Sequence, residues 1–174
     1  MTTPTQRKNQ IRKLLKGIET ADPAAAAVVN ESKYIQHNPQ TQEGSEGLTA
    51  LFARLSKTNP RVNIVRAFAD GDFVFALTEY DFASRRIGFE VFRFDGDLAV
   101  EHWDNIQPRR GPNPSGRTMV DGPTTPPVSE GTRAGTPTAF YDLYRLKNAK
   151  VVEHWDTTEP VPPKSEWKNN NGKF

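Results

Sequence analysis

The stretch that most restricts the fold of this chain is residues 61–106, which are rich in valine, isoleucine and phenylalanine. Asp70-Gly71-Asp72 and Asp95-Gly96-Asp97 interrupt this stretch, and Ala83-Ser84 forms a third break. An Asp-Gly pair between two apolar runs is typical of a tight turn that joins antiparallel strands. The pattern therefore predicts four consecutive strands, near residues 61–69, 73–82, 87–94 and 98–106.

The residues before Asn59-Pro60 have the periodicity of helices instead. Apolar side chains recur at spacings of three and four over residues 6–19 and again over 46–57, which predicts an amphipathic helix in each segment. Asp22 and Pro23 predict a shorter helix, since they suit an N-cap and a first helical turn. Helices followed by an antiparallel meander indicate an α+β fold, in which the two longer helices pack across a curved sheet.

The pentapeptide VEHWD occurs twice, at residues 100–104 and 152–156. The match extends beyond the pentapeptide over two strands and their turns: 92–108 aligns with 144–160, and 77–83 aligns with 128–134, where Glu79 faces Glu130. A proline-rich segment rather than a set of helices precedes the second copy. We therefore interpret the second copy as the closing half of a duplicated domain.

This repeat divides the chain into three predicted parts. Residues 1–108 form the first domain, 109–127 form a Pro/Gly-rich linker, and 128–174 form a partial second copy with a polar tail. The tail is expected to fray after Trp167. Because a two-stranded hairpin alone is at best marginally stable in water, the second copy must pack on the first sheet, pack on a partner chain, or remain disordered.

The composition excludes several classes of function. The net charge is only +2, which argues against nucleic acid as a partner. The chain has no cysteine, so it has no disulfide, thiolate nucleophile or zinc–cysteine site. It has no run of about 20 apolar residues that could span a bilayer, no secretory signal and no nucleotide-binding fingerprint. We therefore expect a cytoplasmic protein that uses no cofactor and does not bind membranes.

Four features follow one another along the chain: a pair of helices, YIQHNP at 34–39, a glycine-containing loop with a helix, and a meander that ends in VEHWD. In this order they resemble the SnoaL-like branch of the NTF2-like superfamily. The resemblance covers residues 6–108. It implies an α+β cone, in which a curved antiparallel sheet and N-terminal helices enclose a pocket. A complete tandem member would carry a whole second copy, and a deletion or a faulty gene model would each explain the shorter one here.

The resemblance also implies a type of chemistry. SnoaL-like proteins include polyketide cyclases, which perform an intramolecular aldol condensation with an acid/base aspartate on the last strand and without a metal. Asp104 matches that aspartate. The wider superfamily contains isomerases, dehydratases, epoxide hydrolases and binding modules, so the fold alone does not determine the function.

Alternate residues of a strand share a face, so His102 and Asp104 point one way and Glu101 and Trp103 point the other. If the first pair faces a pocket, burial is expected to raise the pKa of the aspartate and make it a usable base near neutral pH. His102 or His37 would then donate a hydrogen bond to an enolate oxygen. We therefore predict Asp104, His102 and His37 as catalytic residues. The alternative is that Asp104 merely ends a strand on the surface.

Four further residues are predicted to bind a substrate: Asn38, Glu79, Tyr80 and Phe92. Asn38 also suits a simple turn, because a proline follows it. Since Glu79 and Tyr80 are neighbours on a strand, only one of them faces inward, and surface pairing is the favoured interpretation of this pair.

A metal site is the main chemical alternative. His102, Asp104 and His154 have the outline of an iron site with two histidines and one carboxylate. Because both histidines come from the repeated motif, duplication explains their spacing, and we predict no metal.

The sequence favours a small-molecule enzyme that performs cofactor-independent acid/base chemistry on an apolar carbonyl compound, by aldol cyclisation or isomerisation. The alternative is a non-catalytic module of the same fold that binds a ligand or dimerises. An open cavity on which Asp104 and His102 converge would favour the enzyme, and a cavity filled by aromatic side chains would favour the module. Because the outer face of such an aromatic sheet would expose a large apolar patch, we expect a homodimer on this face, with Trp103 as an anchor.

Overall fold

The structure, a computed structural model, describes residues 2–122 and 138–171. Its helices are α1 (Pro4–Thr20) and α2 (Gly44–Leu55), with short 3-10 helices at Pro23–Val28, Ser56–Thr58 and Lys164–Glu166. Its strands are β1 (Ile35–Gln36), β2 (Arg61–Asp70), β3 (Phe73–Asp81), β4 (Arg85–Asp95), β5 (Leu98–Pro108), β6 (Thr138–Lys147) and β7 (Lys150–Pro160). No helix in the described part of the chain is long and apolar enough to cross a membrane. The predicted alignment of Glu79 with Glu130 lies outside the described residues.

Five strands form one curved sheet in the order β1-β5-β4-β3-β2. Strands β2 to β5 pair antiparallel in a meander, whereas β1 pairs in parallel with β5. The four strands that the sequence predicts are therefore present, and the two Asp-Gly-Asp turns join β2 to β3 and β4 to β5. Gly71 and Gly96 have φ values of 52° and 62°, in the left-handed region that glycine adopts without a steric penalty.

The two longer predicted helices pack across the inner face of this sheet, which confirms the α+β prediction. Thr3 caps α1, because its hydroxyl accepts a hydrogen bond from Gln6 N while the Gln6 side chain accepts one from Thr3 N. At Gly17 a Cβ would lie 2.4 Å from the Cβ of Ala25, so the close contact between α1 and the first 3-10 helix requires glycine. Both helices share one core with the sheet, which includes Ile11, Leu14, Phe52, Val74 and Phe92.

Arg7 ties the start of α1 to both Asp-Gly-Asp turns. Its Nη1 donates to Gly71 O at 3.0 Å and to Asp72 Oδ1 at 2.8 Å. Its Nη2 donates to Gly96 O at 3.0 Å. Because Arg7 is buried, these bonds fix the helix against the end of the sheet where the turns lie.

Strands β6 and β7 form a hairpin that repeats the pairing of β4 with β5. Phe92 pairs with His102 in the first sheet, and Tyr144 pairs with His154 in the hairpin. Each pair of strands has a bulge at the same position relative to its histidine. A salt bridge between the arginine before the bulge and the glutamate of VEHWD is also present in both.

The hairpin packs on the outer face of the first sheet, which is one of the three locations that the sequence allowed. Asn105 Nδ2 donates to Thr157 Oγ1 at 3.0 Å, and these two residues directly follow the two VEHWD motifs. The apolar side chains at this contact form a second cluster, which comprises Leu77, Ile87, Phe89, Met119, Val120, Tyr141, Leu143 and Trp155.

Two further hydrogen bonds between the hairpin and the sheet are reciprocal. Ile106 N donates to Glu159 Oε2 at 3.1 Å, and Thr158 N donates to Gln107 Oε1 at 3.2 Å. In the repeat, position 106 is equivalent to 158 and position 107 to 159. The hairpin and the sheet therefore meet through equivalent residues, as the two halves of a two-fold symmetric interface do.

The described part of the predicted linker, residues 109–122, also lies against the outer face. Arg66 is 4% exposed, and its guanidinium lies 4.7 Å from the ring centroid of Trp155. Its Nη2 donates to three backbone carbonyl oxygens within 2.9 Å, those of Val120, Asp121 and Gly122. Arg66 therefore holds both this segment and the hairpin on the sheet. The division of the chain at residues 108 and 127 stays a prediction.

Candidate active site

A cavity of about 330 Å³ lies between the inner face of the sheet and the helices. Apolar side chains of α1 and α2 line one wall, among them Leu14, Ile18, Leu48 and Phe52. Inward-facing residues of β3, β4 and β5 line the other wall: Tyr80, Glu90, Phe92, His102, Asp104 and Ile106. Because side chains alternate along a strand, these positions face the helices while their neighbours face outward. The cavity therefore has a helix wall that is mostly apolar, with Arg54 as its charged residue, and a sheet wall that carries Glu90, His102 and Asp104.

Asp104 is held at the sheet wall by the loop that follows β1. The residue is 5% exposed, and its Oδ2 accepts a hydrogen bond from Asn38 Nδ2 at 2.6 Å. The parallel pairing of β1 with β5, in which Gln36 lies beside His102, brings Asn38 to this position. Two of the predicted site residues, Asn38 and Asp104, are therefore in direct contact.

His102 is hydrogen-bonded at both ring nitrogens. Its Nδ1 lies 3.0 Å from Gln36 Oε1, and that oxygen also accepts the backbone N–H of Asn38 at 2.9 Å, so Nδ1 is the donor. Its Nε2 lies 2.9 Å from Glu90 Oε2. Phe92 stacks on the imidazole with 4.2 Å between ring centroids. One proton is therefore shared between Nε2 and the Glu90 carboxyl group, and both groups are fixed in place.

Glu90 is the site residue that the sequence analysis missed. It is 3% exposed, and its Oε1 accepts a hydrogen bond from the Tyr80 hydroxyl at 2.6 Å. Burial raises the pKa of Glu90 and outweighs the His102 hydrogen bond, which lowers it, while the charge of Asp104 raises it further. Burial also raises the pKa of Tyr80 well above its ordinary value, so the hydroxyl stays protonated. The sequence feature that could have indicated Glu90 is its position as the single acidic residue among the apolar residues of 87–94.

We expect the stability that Glu90 contributes to fall as the pH rises above 4.5, the ordinary pKa of its carboxyl group. Because the pKa is raised by folding, the folded protein binds more protons than the unfolded chain between 4.5 and the raised value. The free energy of unfolding then decreases by at most about 1.4 kcal/mol per pH unit from this group. Urea denaturation of the wild type and Glu90→Gln across this range measures the effect. A wild-type advantage that grows with pH would contradict the raised pKa.

Two predicted site residues lie on the opposite side of the sheet from the cavity. The Gln36 side chain points to the cavity, so the next side chain, His37, points to the other side of the sheet. There His37 Nε2 lies 2.9 Å from Glu101 Oε1. Glu79 Oε1 accepts a hydrogen bond from Arg109 Nη1 at 2.6 Å. The cavity thus brings together five of the predicted residues and not these two; the five are Asp104, His102, Asn38, Tyr80 and Phe92.

One group of side chains at the cavity has the chemistry of a cation site. Glu90, His102 and Asp104 each offer one ligand atom, and these atoms lie within 4.8 Å of one another. One imidazole and two carboxylates are able to hold a divalent cation. This set contains Glu90 in place of His154, which belonged to the iron site considered above. His154 is exposed on the hairpin, where its Nε2 lies 2.6 Å from Asp142 Oδ1. The hydrogen bonds of His102 and Asp104 account for the arrangement without a metal.

The second VEHWD motif has a different environment from the first. Its imidazole is stacked in the same way, with His154 and Tyr144 ring centroids 4.3 Å apart. Asp156, however, is exposed and borders an open cleft of about 580 Å³ against residues of the 110–119 segment. The two aspartates therefore differ in solvation although their pentapeptides are identical.

Comparison with known proteins identifies the fold. No family model matches the chain, and no curated protein matches it. A putative ketosteroid isomerase from Kribbella flavida has a TM-score of 0.53 and 19% identity, over 66% of this chain and 87% of that one. A putative polyketide cyclase from Bacillus cereus has a TM-score of 0.53 and 16% identity, over 59% of this chain and 75% of that one.

An NTF2-like protein of unknown function from Burkholderia xenovorans is similar to the same extent, with a TM-score of 0.53 and 13% identity, over 64% of this chain and 90% of that one. Identities this low show the fold and leave the activity open. The chain therefore has the NTF2-like α+β fold, a curved sheet with helices across its inner face.

Proposed function

We propose that this protein is a SnoaL-like enzyme that removes a proton next to the carbonyl group of a small apolar compound, with Asp104 as the base. The observation that supports it most is the position of Asp104, which is buried at the sheet wall of the cavity described above and is oriented by Asn38. Beside it, His102 and Glu90 share a proton. A base and a proton donor at one wall are the two elements that enolisation needs.

In this mechanism the substrate lies against the helix wall, and its carbonyl oxygen points toward His102 and Glu90. The Asp104 carboxylate takes the α-proton, and the electrons of the C–H bond form the enolate. When the substrate is bound, the proton shared by His102 and Glu90 turns from the hydrogen bond between them to the enolate oxygen and stabilises it through a hydrogen bond. In an isomerisation, Asp104 returns the proton to another carbon. In an aldol cyclisation, the enolate carbon bonds to a second carbonyl carbon, and the new alkoxide takes the proton from Asp104.

Deuterium exchange tests the proposal without knowledge of the natural substrate. 2-Tetralone, an apolar ring ketone with acidic α-protons, is incubated with the protein in D₂O and followed by proton NMR. We expect exchange faster than in buffer by a factor on the order of 10²–10⁴, which is the usual contribution of a general base. Exchange no faster than with an equal amount of heat-denatured protein would overturn the proposal.

The second candidate function is a non-catalytic module of the same fold. Phe52 and Phe92 border the cavity, but an open volume remains between them, and Asp104 and His102 converge on it. This arrangement favours the enzyme. Binding of 2-tetralone without exchange of its protons would favour the module instead.

We also propose a homodimer, built on the end of the outer face that lies beyond the hairpin. Four aromatic side chains form a row there: Phe68 and Phe75 have ring centroids 5.1 Å apart, Phe75 and Phe73 6.3 Å, and Phe73 and Trp103 6.4 Å. Phe73 is 37% exposed. Contiguous exposed apolar patches commonly mark interaction sites, and a second copy of the same row would cover this one.

Light scattering at micromolar concentration is expected to give twice the chain mass of 19.5 kDa. Phe73→Glu should shift the protein to the monomer mass, because a carboxylate in the row would lose its hydration at the interface. Val151→Glu is the control, since Val151 is an exposed apolar residue of the hairpin, at 56% exposure, outside the row. A monomeric wild type would contradict the homodimer.

The hairpin is, in our proposal, the closing half of a second copy of the domain. The shared register, the shared bulge and the shared salt bridge support this interpretation. The corresponding parts of the chain are 1–108, 109–127 and 128–174.

A further inference from the structure

Residues 168–171, which we call the C-terminal strap, lie across the loop between β1 and α2. Lys168 N donates to Pro39 O at 2.6 Å. The expectation that the tail frays after Trp167 is therefore wrong for the strap. Its polar residues suggested full solvation, but their N–H groups bond to carbonyl groups of the loop instead.

Two of the three consecutive asparagines in the strap are aimed at this loop. Asn169 is 9% exposed, and its Nδ2 donates to Asn38 O at 2.9 Å and to Thr41 O at 3.2 Å. Asn171 Nδ2 donates to Gln36 O at 3.0 Å. Asn170, which lies between them, is exposed. The strap therefore has two asparagines that bind the loop and, between them, one that faces solvent.

The loop residues that the strap binds are the same residues that orient the candidate site. The Gln36 side chain accepts the Nδ1 hydrogen of His102 at 3.0 Å, and the Asn38 side chain donates to Asp104 at 2.6 Å. Each strap asparagine thus bonds to the backbone of a residue whose side chain bonds to a site residue. One chain of contacts leads from position 171 to His102 and another from position 169 to Asp104.

The loop has little regular structure of its own to hold it. Strand β1 contributes only two residues to the sheet, and α2 begins at Gly44. Between them the Asn38 carbonyl accepts hydrogen bonds from Thr41 N at 3.1 Å and from the buried amide of Asn169, and the Thr41 carbonyl accepts one from the same amide. Removing a donor from a buried carbonyl is unfavourable, so the loop is expected to shift when the strap is altered.

We infer that Asn169 and Asn171 are positioning residues, which set the orientation of Asn38 and Gln36 and, through them, of Asp104 and His102. Their effect on catalysis rests on the proposed function, whereas their effect on the geometry of His102 does not. A displacement of about 1 Å at a catalytic group can lower a rate by about a hundredfold. The strap would therefore control the activity of a cavity that it does not line.

Nitrogen-15 NMR of the histidine rings tests the geometric part. The chain has three histidines, and His37→Gln and His154→Gln identify the His102 signals by elimination. In Asn169→Ala/Asn171→Ala we expect the His102 Nδ1 signal to shift and its hydrogen to exchange with solvent about tenfold faster or more, since exchange reports local opening. Asn170→Ala is the matched control and should leave both unchanged. Unchanged His102 signals in a folded double variant would overturn the inference.

Exchange of 2-tetralone protons tests the catalytic part. The double variant should lose about tenfold to a hundredfold in kcat, with a smaller change in KM, because the base is misplaced while the helix wall is intact. An active wild type with an unaltered double variant would overturn the inference. If the wild type itself shows no exchange, the proposed function fails, and the NMR result alone decides the role of the strap. Should the double variant not fold, Asn171→Ala alone takes its place in the NMR measurement, because position 171 is the one linked to His102. Asn169→Asp, which has the same shape but lacks the amide donors, takes its place in the exchange measurement, because position 169 is linked to Asp104.

Discussion

Asp104→Asn is expected to lower the exchange of 2-tetralone protons by a factor on the order of 10²–10⁴ and to leave the fold intact, whereas Asp156→Asn leaves exchange largely unchanged. Asparagine keeps the shape of the side chain and an oxygen that accepts the Asn38 hydrogen bond, but it cannot take a proton. The two aspartates belong to identical pentapeptides, so the difference lies in their surroundings. Asp104 is 5% exposed beneath two helices, while Asp156 is exposed on the hairpin.

Circular dichroism and a thermal unfolding curve for both variants provide the control for this experiment. Each variant removes one carboxylate from the same motif, so any general effect of the lost charge appears in both. An inactive Asp156→Asn variant together with an active Asp104→Asn variant would contradict the assignment. The site would then have to be completed by the hairpin of a partner chain.

Arg66→Met is expected to lower the free energy of unfolding by about 3 kcal/mol, because it removes a buried charged donor from three carbonyl oxygens at once. Methionine fills a similar volume, so the loss reports the hydrogen bonds rather than a cavity. The same change should weaken the attachment of the hairpin, since Arg66 also stacks on Trp155.

Arg61→Met is the matched control for that variant. Arg61 lies at the start of the same strand and is exposed, so its replacement is expected to change the stability by less than about 0.5 kcal/mol. Urea denaturation followed by circular dichroism measures both variants. Equal losses in the two would show that Arg66 does not anchor the segment and the hairpin.

The parts of the fold that were predictable from the sequence are those determined by local patterns. The two Asp-Gly-Asp turns and the apolar runs between them gave the meander, and alternation gave the shared face of His102 and Asp104. Glu90 was missed because a single acid in an apolar strand does not reveal its partner. Only the register of β4 with β5 shows that it lies opposite Asp104.

His37 was assigned to the site for a related reason. Which face of a short or edge segment points inward depends on its neighbour, and the parallel pairing of β1 with β5 turns Gln36 rather than His37 to the cavity. Parallel pairing joins segments that are distant in the sequence, and no local turn motif indicates it. The strap was missed for the same reason, because its contacts join positions that are far apart in the sequence: Asn169 bonds to Asn38 across 131 residues.

The reciprocal bonds of Ile106 with Glu159 and of Thr158 with Gln107 have a consequence for how this contact can change. In a homodimer with two-fold symmetry, every substitution appears on both sides of the interface at once. Here the residues on the two sides are encoded at separate positions of one gene, so a residue on one side can be replaced alone. At one equivalent pair, Asn105 and Thr157, the two residues already differ. Covalent linkage also makes the pairing independent of protein concentration, because the second half is held at a fixed effective concentration. Dilution that separates a dimer would leave this contact in place.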